Sequence, residues 1–432
     1  MDIAKSLNIL HRDIVKKLNP WLKRDEIIVI LGARQVGKSS LLQYLQRALE
    51  KARKQTFFLD LEDIELRKSL LTARKVISYL KALGWNAKHR AFLFLDEIHY
   101  MENFPSILKY LHDHHPGLKS IVTGSSSLKL RSKMGDPLTG RKAVFTLFPL
   151  SFMEYLNFSG KRELHDAIGR ISPRLVPEPL LSQVNAAYEE YVIFGGYPKV
   201  ALTPAHEMKV SVLKEIQATY IDREIRSFVA DEHLNRFGAL IEFLAVQNGG
   251  LVKILEIAKE MGMARDTVSR YLTILEETFI IKMLKPFAPT RSKEITRMPK
   301  LYFTDVGFLN YTLKNFQALA LHVNAGALIE STVYCSLCRN LRDTEEVRFW
   351  RTKSKDEIDF ILRREKDIVP IEIKWSEHPQ VPKSLRKFLK NLKSRSKTAY
   401  VLTKKHYAEE PVNGQIIKYV PAWAVEFALW QR

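Results

Sequence analysis

The sequence predicts an α/β protein with several domains, and three observations lead to this prediction. The chain has 432 residues, more than a single ordinary domain contains. Near its N-terminus a β-branched run enters a glycine-rich loop that is followed by a helical pattern. Further short apolar runs then alternate with helical patterns, as in parallel sheets that are covered by helices. We therefore expect a doubly wound parallel sheet with a ligand site at the carboxyl ends of its strands.

The glycine-rich loop has the sequence GARQVGKSS and the spacing G-x-x-x-x-G-K-S. Between a strand and a helix this spacing indicates a phosphate site, because Gly32 and Gly37 let backbone N–H groups approach phosphate oxygens. Lys38 is expected to reach the β- and γ-phosphates of ATP, and the Ser39 hydroxyl is expected to bind Mg²⁺. The predicted nucleotide-binding residues of the loop are Gly32, Ala33, Arg34, Gln35, Val36, Gly37, Lys38, Ser39 and Ser40.

Polar side chains also follow two later apolar runs. The run at 91–95 is followed by Asp96 and Glu97, and a third run ends in Thr123, a glycine and Ser125. We expect Asp96 to complete the magnesium shell and Glu97 to polarise the attacking water. A polar residue at the end of the third strand can lie between the two acids and sense the γ-phosphate, and Ser125 is the predicted one. The sequence thus predicts ATP binding and hydrolysis.

These motifs resemble those of a prokaryotic AAA+ ATPase family that is close to the STAND ATPases. The resemblance covers most of the chain, and its motifs occur in order: GARQVGKSS, LFLDEIHYMENF, VTGSSSLKL, LTGRKAVFTLFPLSFMEYL and FGGYPKV. It implies a P-loop AAA+ core with a parallel sheet over 1–150 and a helical lid over 151–230. It also implies a γ-phosphate contact by Arg141 and a nucleotide contact by Pro198 in the lid. A surface arginine and a simple turn are the alternatives for these two residues.

The middle of the chain contains a helix-turn-helix pattern. Apolar-periodic helices are expected at 254–261 and 264–277, with a tight turn at Gly262. The following run FIIKMLKPF is typical of the strand of a wing, so we predict a winged helix over 231–290 and a connector over 291–320. A lid or a protein-docking module is the alternative. The second helix carries a set of side chains that suits DNA-groove reading: Arg265, Asp266, Ser269 and Arg270.

The last hundred residues have the predicted order helix, three strands, helix, strand. The second strand carries Asp359, and the third carries Glu372 and Lys374 in the pattern E-x-K. Since side chains two apart on a strand share a face, Glu372 and Lys374 project together and Asp359 can meet them from the neighbouring strand. This arrangement resembles the restriction-endonuclease-like PD-(D/E)xK core, which the AAA+ family also carries at its C-terminus. We assign it to 321–432.

A metal site is predicted in this C-terminal domain. Asp359 and Glu372 are expected to share a divalent cation, Mg²⁺ or Mn²⁺, while Lys374 orients the attacking water. Glu330, on the preceding helix, can add an outer acid. Two alternatives stay open. Charge alternates routinely on amphipathic edge strands, and the fold can be retained for DNA binding without cleavage.

The chain is strongly basic. It has 68 Lys and Arg residues against 48 Asp and Glu residues, which gives a formal net charge of +20. A polyanionic partner such as DNA is the usual reason for this imbalance, and a well-solvated surface is the alternative. One helical segment near the C-terminus concentrates the positive charge without any acid, through Lys383, Arg386, Lys387, Lys390, Lys393, Arg395 and Lys397.

A cytoplasmic location is expected. No apolar run approaches the roughly 20 residues that a membrane-spanning helix needs. The N-terminal segment lacks the apolar core of a signal peptide. Cys335 and Cys338 form a single CxxC without a second pair or a nearby histidine, which disfavours a zinc site. Two buried helical thiols are expected there, and redox chemistry is the alternative.

Together these features predict an ATPase that uses ATP and Mg²⁺ and acts on DNA. In this interpretation the nucleotide state controls the nuclease-like C-terminal domain. The alternative is a STAND-like molecular switch, in which ATP regulates protein assembly and the C-terminal fold is a catalytically silent docking module. A homo-oligomer is a possible assembly, and no membrane contact is expected.

Overall fold

The computed structural model describes residues 10–125, 138–170, 176–288, 294, 297–365, 367–376, 379–391, 396–412 and 414–430. The chain divides into two compact units. The first comprises the residues up to Leu150 together with Glu277–Phe279, and the second comprises Ser151–Glu276 and Ile280–Arg432.

The first unit contains a five-stranded sheet. All of its neighbouring strands run parallel, in the spatial order β2-β3-β4-β1-β5. The carboxyl end of β1 therefore lies between those of β4 and β5, with Leu31 opposite both Gly124 and Thr146. This confirms the α/β fold with a parallel sheet. The strands are β1 (Ile27–Leu31), β2 (Gln55–Asp60), β3 (Ala91–Asp96), β4 (Leu118–Gly124) and β5 (Lys142–Thr146).

The three longest helices of this unit are amphipathic and bury their apolar sides. In the last of them Phe104, Ile107, Leu108 and Leu111 recur at helical spacing and are buried. They join the strand residues of β1 and β3 in one hydrophobic core. The helices are α1 (Ile14–Leu18), α2 (Lys38–Lys51), α3 (Ile64–Ser69), α4 (Ala73–Ala82) and α5 (Phe104–His114).

The second unit begins with helices, as predicted for the segment 151–230. The first of them starts with a capping box, in which the Ser151 hydroxyl accepts from the Glu154 N–H and the Glu154 carboxylate accepts from the Ser151 N–H. Buried aromatic rings of Phe152, Tyr155 and Tyr191 hold this part together. The helices are α6 (Phe152–Phe158), α7 (Arg162–Arg170), α8 (Glu178–Phe194), α9 (Pro198–Ala201) and α10 (His206–Arg223).

A helical pair and a hairpin follow. The pair turns at Gly262, which has a φ of 60°. The structure corrects the expectation of a loop-like connector after the pair, because Lys300–Phe303 forms a strand antiparallel to Ile281–Leu284 and a helix follows it. Propensity could not reveal this pairing, because a strand of four residues gives little periodic signal. The elements are α11 (Leu234–Val246), α12 (Ile254–Glu260), α13 (Arg265–Glu277), β6 (Ile281–Leu284), β7 (Lys300–Phe303) and α14 (Val306–Thr312).

The C-terminal part of the second unit is a six-stranded mixed sheet in the order β12-β13-β11-β10-β9-β8. β9 is antiparallel to both β8 and β10, whereas β10 and β11 are parallel. The predicted order of helix, three strands, helix and strand is found. Its elements are α15 (Ala325–Asn340), β8 (Glu346–Arg351), β9 (Glu357–Arg363), β10 (Ile368–Lys374), α16 (Lys383–Asn391), β11 (Thr398–Thr403), β12 (Ala408–Val412), β13 (Gln415–Pro421) and α17 (Val425–Trp430).

Candidate functional site

The glycine-rich loop joins β1 to α2 and is organised around a buried lysine. Lys38 is the first residue of α2, and its side chain is only 4% exposed. Its ammonium donates to the carbonyl oxygens of Gly32 (3.1 Å) and Ala33 (3.0 Å). These bonds fold the loop back over the helix N-terminus, where the backbone N–H groups and the helix dipole favour an anion. The arrangement is that of a phosphate-binding loop.

Two contacts explain why the loop keeps its shape. A Cβ atom on Gly32 would lie 2.3 Å from the carbonyl oxygen of Leu147, so only glycine fits beside the residue that follows β5. The guanidinium of Arg12 donates to the carbonyl oxygens of Val36 (2.8 Å) and Phe148 (2.7 Å) from a buried position. Arg12 was not predicted from the sequence, since 24 residues separate it from Val36 and no motif marks it.

Asp96 and Glu97 follow β3 at the same sheet edge. Asp96 accepts hydrogen bonds from the hydroxyls of Ser39 and Thr123. The Thr123 hydroxyl also accepts from the backbone N–H of Glu97 at 2.9 Å. Thr123 is therefore the polar residue that lies between the two acids. Ser125, the predicted one, is buried just after the end of β4.

This set of oxygens fits a nucleotide-bound magnesium ion. The Ser39 hydroxyl and the Asp96 carboxylate already share a hydrogen bond, so both oxygens can join the shell of one Mg²⁺ ion beside the phosphates. Burial raises the pKa of the Asp96 carboxyl, and the hydrogen bonds from Ser39 and Thr123 oppose that rise. When bound, the ion would neutralise charge on the phosphates.

Glu97 is held as a carboxylate. Burial by itself would raise the pKa of Glu97, but the Lys38 ammonium, 3.7 Å away, and the His99 ring, 3.1 Å away, outweigh burial and lower the pKa to about 2. The backbone of Glu97 has a φ of 51°, a left-handed conformation that non-glycine residues adopt at a cost and mostly at functional sites. An ionised carboxylate in this position can orient a water molecule.

Arg141, which the resemblance gives a γ-phosphate contact, does not lie beside this loop. Its carbonyl oxygen accepts from the N–H of Ile27 at 2.7 Å, at the start of β1, whereas the loop follows the end of β1. Five residues of strand separate the two edges, roughly 15 Å. The Arg141 guanidinium instead pairs with Asp113 at 2.7 Å.

Ser40 and Pro198 were also predicted to contact the nucleotide. Ser40 is exposed on the first turn of α2. Pro198 is the first residue of α9 in the second unit, and the fixed φ of proline suits that position. Its nucleotide contact remains a prediction.

The GGYP segment that contains Pro198 has a clear structural partner in the second unit. The buried Asp305 carboxylate accepts from the N–H of Gly196 at 2.7 Å and from the N–H of Phe308 at 3.0 Å. Asn310, one turn further along α14, donates to the carbonyl oxygen of Ile193 at 2.7 Å. The segment thus joins the end of α8 to α14.

Asp305 should make the stability of the chain depend on pH. Burial raises its pKa to about 6, although the bonds from Gly196 and Phe308 oppose the rise. Because the carboxyl of the unfolded chain titrates near pH 4, the contribution of Asp305 to the free energy of unfolding is complete below about pH 4 and is lost as the pH rises through about 6.

Replacing Asp305 with Asn removes this titration. We therefore expect its destabilising effect to be about 1–2 kcal/mol larger at pH 4.5 than at pH 7.5. Parallel thermal unfolding profiles of the two proteins across this range would contradict the assignment.

The C-terminal acids come together as predicted. The backbone N–H of Ile373 donates to Asp359 at 2.8 Å, and the N–H of Asp359 lies 3.4 Å from a Glu372 carboxylate oxygen. The Lys374 ammonium lies 3.0 Å from Glu372. Glu330 on α15 joins them from one side, where it accepts from the hydroxyl of Tyr302 at 2.9 Å. The predicted triad and the predicted outer acid are therefore neighbours.

A second lysine lies in this group and was not predicted. The ammonium of Lys300, on β7, contacts Glu357 and lies 3.9 Å from Glu330. Burial raises the pKa of Glu372, and the nearby Asp359 carboxyl raises it further. Burial and Asp359 likewise raise the pKa of Glu330. Burial and mutual repulsion therefore oppose ionisation of all the carboxyls in this cluster, and Lys300 and Lys374 lie among them.

A divalent ion does not fit this arrangement. In the part of the chain that the structure describes, no three His, Cys, Asp or Glu side chains are grouped so that they could hold a metal ion. At the C-terminal cluster an ammonium already stands among the carboxylates. Metal binding by Asp359, Glu372 and Glu330 is thus not supported by the geometry.

The basic helix presents its charge to solvent, and its apolar stripe faces the sheet. Leu385, Phe388 and Leu389 are buried in the C-terminal core. Lys387 pairs with Asp356 at 2.9 Å and Arg386 with Glu410 at 3.6 Å, and within the described residues no ion pair forms on Lys383 or Lys390. All four of these basic side chains are exposed, and so are Arg265, Asp266, Ser269 and Arg270 on α13. Lys397 is exposed as well, while Lys393 and Arg395 lie outside the described residues.

Both cysteines lie on α15, where Cys335 is buried and Cys338 is partly exposed. Cys335 is fully buried on α15, and burial raises the pKa of its thiol to about 12. Such a thiol is a poor nucleophile, so the structure favours the interpretation of buried thiols over redox chemistry. Among the helices that the structure describes, none has the length and apolar character for crossing a membrane.

Comparison with known proteins divides the chain into three matched segments. Residues 24–156 match the model of an AAA domain, residues 185–319 match a domain of unknown function (DUF8612), and residues 325–425 match another (DUF4143). An uncharacterized protein of Methanocaldococcus jannaschii is 26% identical over 98% of this chain and 92% of its own length. One of Haemophilus influenzae is 24% identical over 97% of this chain and 99% of its own length.

Among solved structures, the Walker-type ATPase of Pyrococcus abyssi is similar with a TM-score of 0.48. It is 16% identical, over 69% of this chain and 94% of that one. The matched AAA segment contains the parallel sheet, the phosphate-binding loop and the Asp96–Glu97 pair. Residues 24–156 therefore form an AAA-type P-loop ATPase domain.

Proposed function

We propose that the protein is an ATPase that acts on DNA and that its nucleotide state controls a nuclease-like, DNA-binding C-terminal domain. The observation that carries the DNA part is the exposed, acid-free basic face of α16 in a chain of net charge +20. A row of exposed cations on one helix matches the charge of a phosphate backbone, and its binding would release counterions. The Arg265 and Arg270 side chains on α13 offer a second basic surface.

In the proposed ATPase cycle, Lys38 faces the β- and γ-phosphates and Glu97 orients the attacking water. Ser39 and Asp96 hold the magnesium ion, and Thr123 couples Asp96 to the backbone of Glu97. Arg141 can act only on nucleotide bound to a neighbouring copy, which makes a homo-oligomer part of this proposal. Metal-dependent DNA cleavage is outside it, because the Lys300 ammonium stands among the C-terminal carboxylates.

A second candidate function is a STAND-like switch with a catalytically silent C-terminal docking module. The Lys300 ammonium within the acid cluster favours this second function, because a cluster neutralised by a lysine needs neither a metal ion nor DNA. The two functions differ in one inexpensive measurement. Duplex DNA should raise the ATP hydrolysis rate if the protein acts on DNA, and should leave the rate unchanged if the C-terminal domain only docks proteins.

Charge reversal on α16 tests the DNA proposal directly. We expect the double variant Lys383→Glu/Lys390→Glu to bind a fluorescent DNA duplex at least about tenfold more weakly at 100 mM salt. The slope of log affinity against log salt should fall by about 0.9 for each phosphate contact that is lost. Fluorescence anisotropy over a salt series measures both quantities.

A matched control is Lys75→Glu/Lys81→Glu on α4, which makes the same change in net charge on exposed lysines elsewhere. If only overall charge attracts DNA, the two double variants will lose equal affinity. An affinity of the wild-type protein that does not change with salt would remove DNA as the partner.

A further inference from the structure

Lys300 belongs to the β6–β7 hairpin, yet its side chain enters the acid cluster of the C-terminal domain. Its ammonium contacts Glu357 of β9 and lies 3.9 Å from Glu330 of α15, and the residue is 3% exposed. Tyr302, two residues further along the same strand, donates to Glu330. Because residues two apart on a strand share a face, one side of β7 is directed into the cluster.

The buried ammonium of Lys300 and the buried carboxylates around it stabilise each other by offsetting their charges. A buried ammonium without partners is costly, and so is a group of buried carboxylates without a cation. Glu357 and Asp359 project from the same face of β9, and Glu372 lies beside Asp359 on β10. Arg351 adds a further cation to Glu357 at 2.7 Å. The acids are thus already served by cations of the chain itself.

We infer that Lys300 is the resident cation of this cluster and that its ammonium excludes a divalent metal ion while β7 is in place. The C-terminal domain then holds a protein cation at Glu330 and Glu357, next to the carboxylates of Asp359 and Glu372 between which its resemblance would place a metal. Replacing Lys300 with an uncharged residue should therefore let a divalent ion enter the cluster. This inference does not depend on DNA binding, because it concerns charge within one cluster.

Metal titration of the nucleotide-free full chain tests the inference. Without nucleotide, the phosphates that complete the other magnesium site are missing. We expect no Mn²⁺ binding to the wild-type protein by calorimetry. The variant Lys300→Met keeps an unbranched side chain that is one atom shorter and removes the charge, so it should bind Mn²⁺ at least about tenfold more tightly than wild type. Mn²⁺ should also raise the melting temperature of the variant and leave that of wild type unchanged.

Two controls make the result specific to the cluster. Lys285→Met removes an exposed lysine near the same hairpin and should behave like wild type. Adding Asp359→Asn to Lys300→Met should abolish the gained Mn²⁺ binding. The inference is overturned if wild type binds Mn²⁺ and Asp359→Asn removes that binding. This test does not require the Lys300 variant to fold. It is also overturned if folded Lys300→Met, checked by circular dichroism, binds Mn²⁺ no better than wild type. Failure of DNA binding would leave it untouched.

Discussion

Replacing Glu97 with Gln should lower the rate of ATP hydrolysis by about 10²–10⁴-fold while ATP binding is retained. The amide has nearly the shape of the carboxylate but cannot accept a proton or carry charge. In the wild-type protein the Lys38 ammonium and His99 outweigh burial and keep Glu97 ionised, so the carboxylate is ready at neutral pH. Steady-state hydrolysis and the affinity for a fluorescent ATP analogue measure the two properties separately.

Lys38→Ala is the control that should lose ATP binding as well as hydrolysis. It removes the cation that faces the phosphates and also the two bonds to Gly32 and Ala33 that shape the loop. We therefore expect loss of ATP binding and of hydrolysis together. If Glu97→Gln hydrolysed ATP at the wild-type rate, another group would have to orient the water, and the assignment of Glu97 would be wrong.

The nucleotide loop was predictable because its chemistry is local. Backbone N–H groups, a lysine and a hydroxyl must occur at fixed spacing for one turn to surround a phosphate, so nine consecutive residues carry the prediction. The strand before it and the helix after it also have clear periodic patterns. The structure adds Arg12 and Thr123, which act through contacts with residues far away in the chain.

Arg141 shows why a motif alone does not place a side chain. The sequence puts it just before a strand, but only the register of β5 against β1 reveals that it lies at the edge opposite the loop. Lys300 is the converse case, a residue that lies in a site although no motif marks it. Nothing in the segment around it marks a site, and its role appears only when β7 and the C-terminal acids come together. Both cases depend on long-range pairing, which local patterns do not encode.

The GGYP segment gives the second large expected effect, a loss of stability in Gly195→Ala. Gly195 ends α8 with a φ of 78°, and a Cβ atom there would lie 2.3 Å from an Asp305 carboxylate oxygen and 2.6 Å from the backbone nitrogen of Gly307. With a ψ of −171° as well, Gly195 occupies a backbone region that is essentially restricted to glycine, and this alone costs alanine on the order of 1–3 kcal/mol. The contact with buried backbone adds typically 1–3 kcal/mol, since the Asp305 bonds to Gly196 and Phe308 must shift.

Gly160→Ala is the control without the steric contact. Gly160 has nearly the same φ, 77°, but a Cβ atom there would meet no atom within 4 Å. We therefore expect Gly160→Ala to show only the cost of a positive φ and Gly195→Ala to lose about twice as much free energy of unfolding, measured by denaturant titration. The comparison also decides between two explanations of the segment. If the two alanine variants are equally stable and Gly195→Ala instead weakens ATP binding, then Gly195 and Pro198 serve the nucleotide, as the resemblance implies. If stability falls and ATP affinity does not, glycine is required at 195 because α8 and α14 approach each other closely around Asp305.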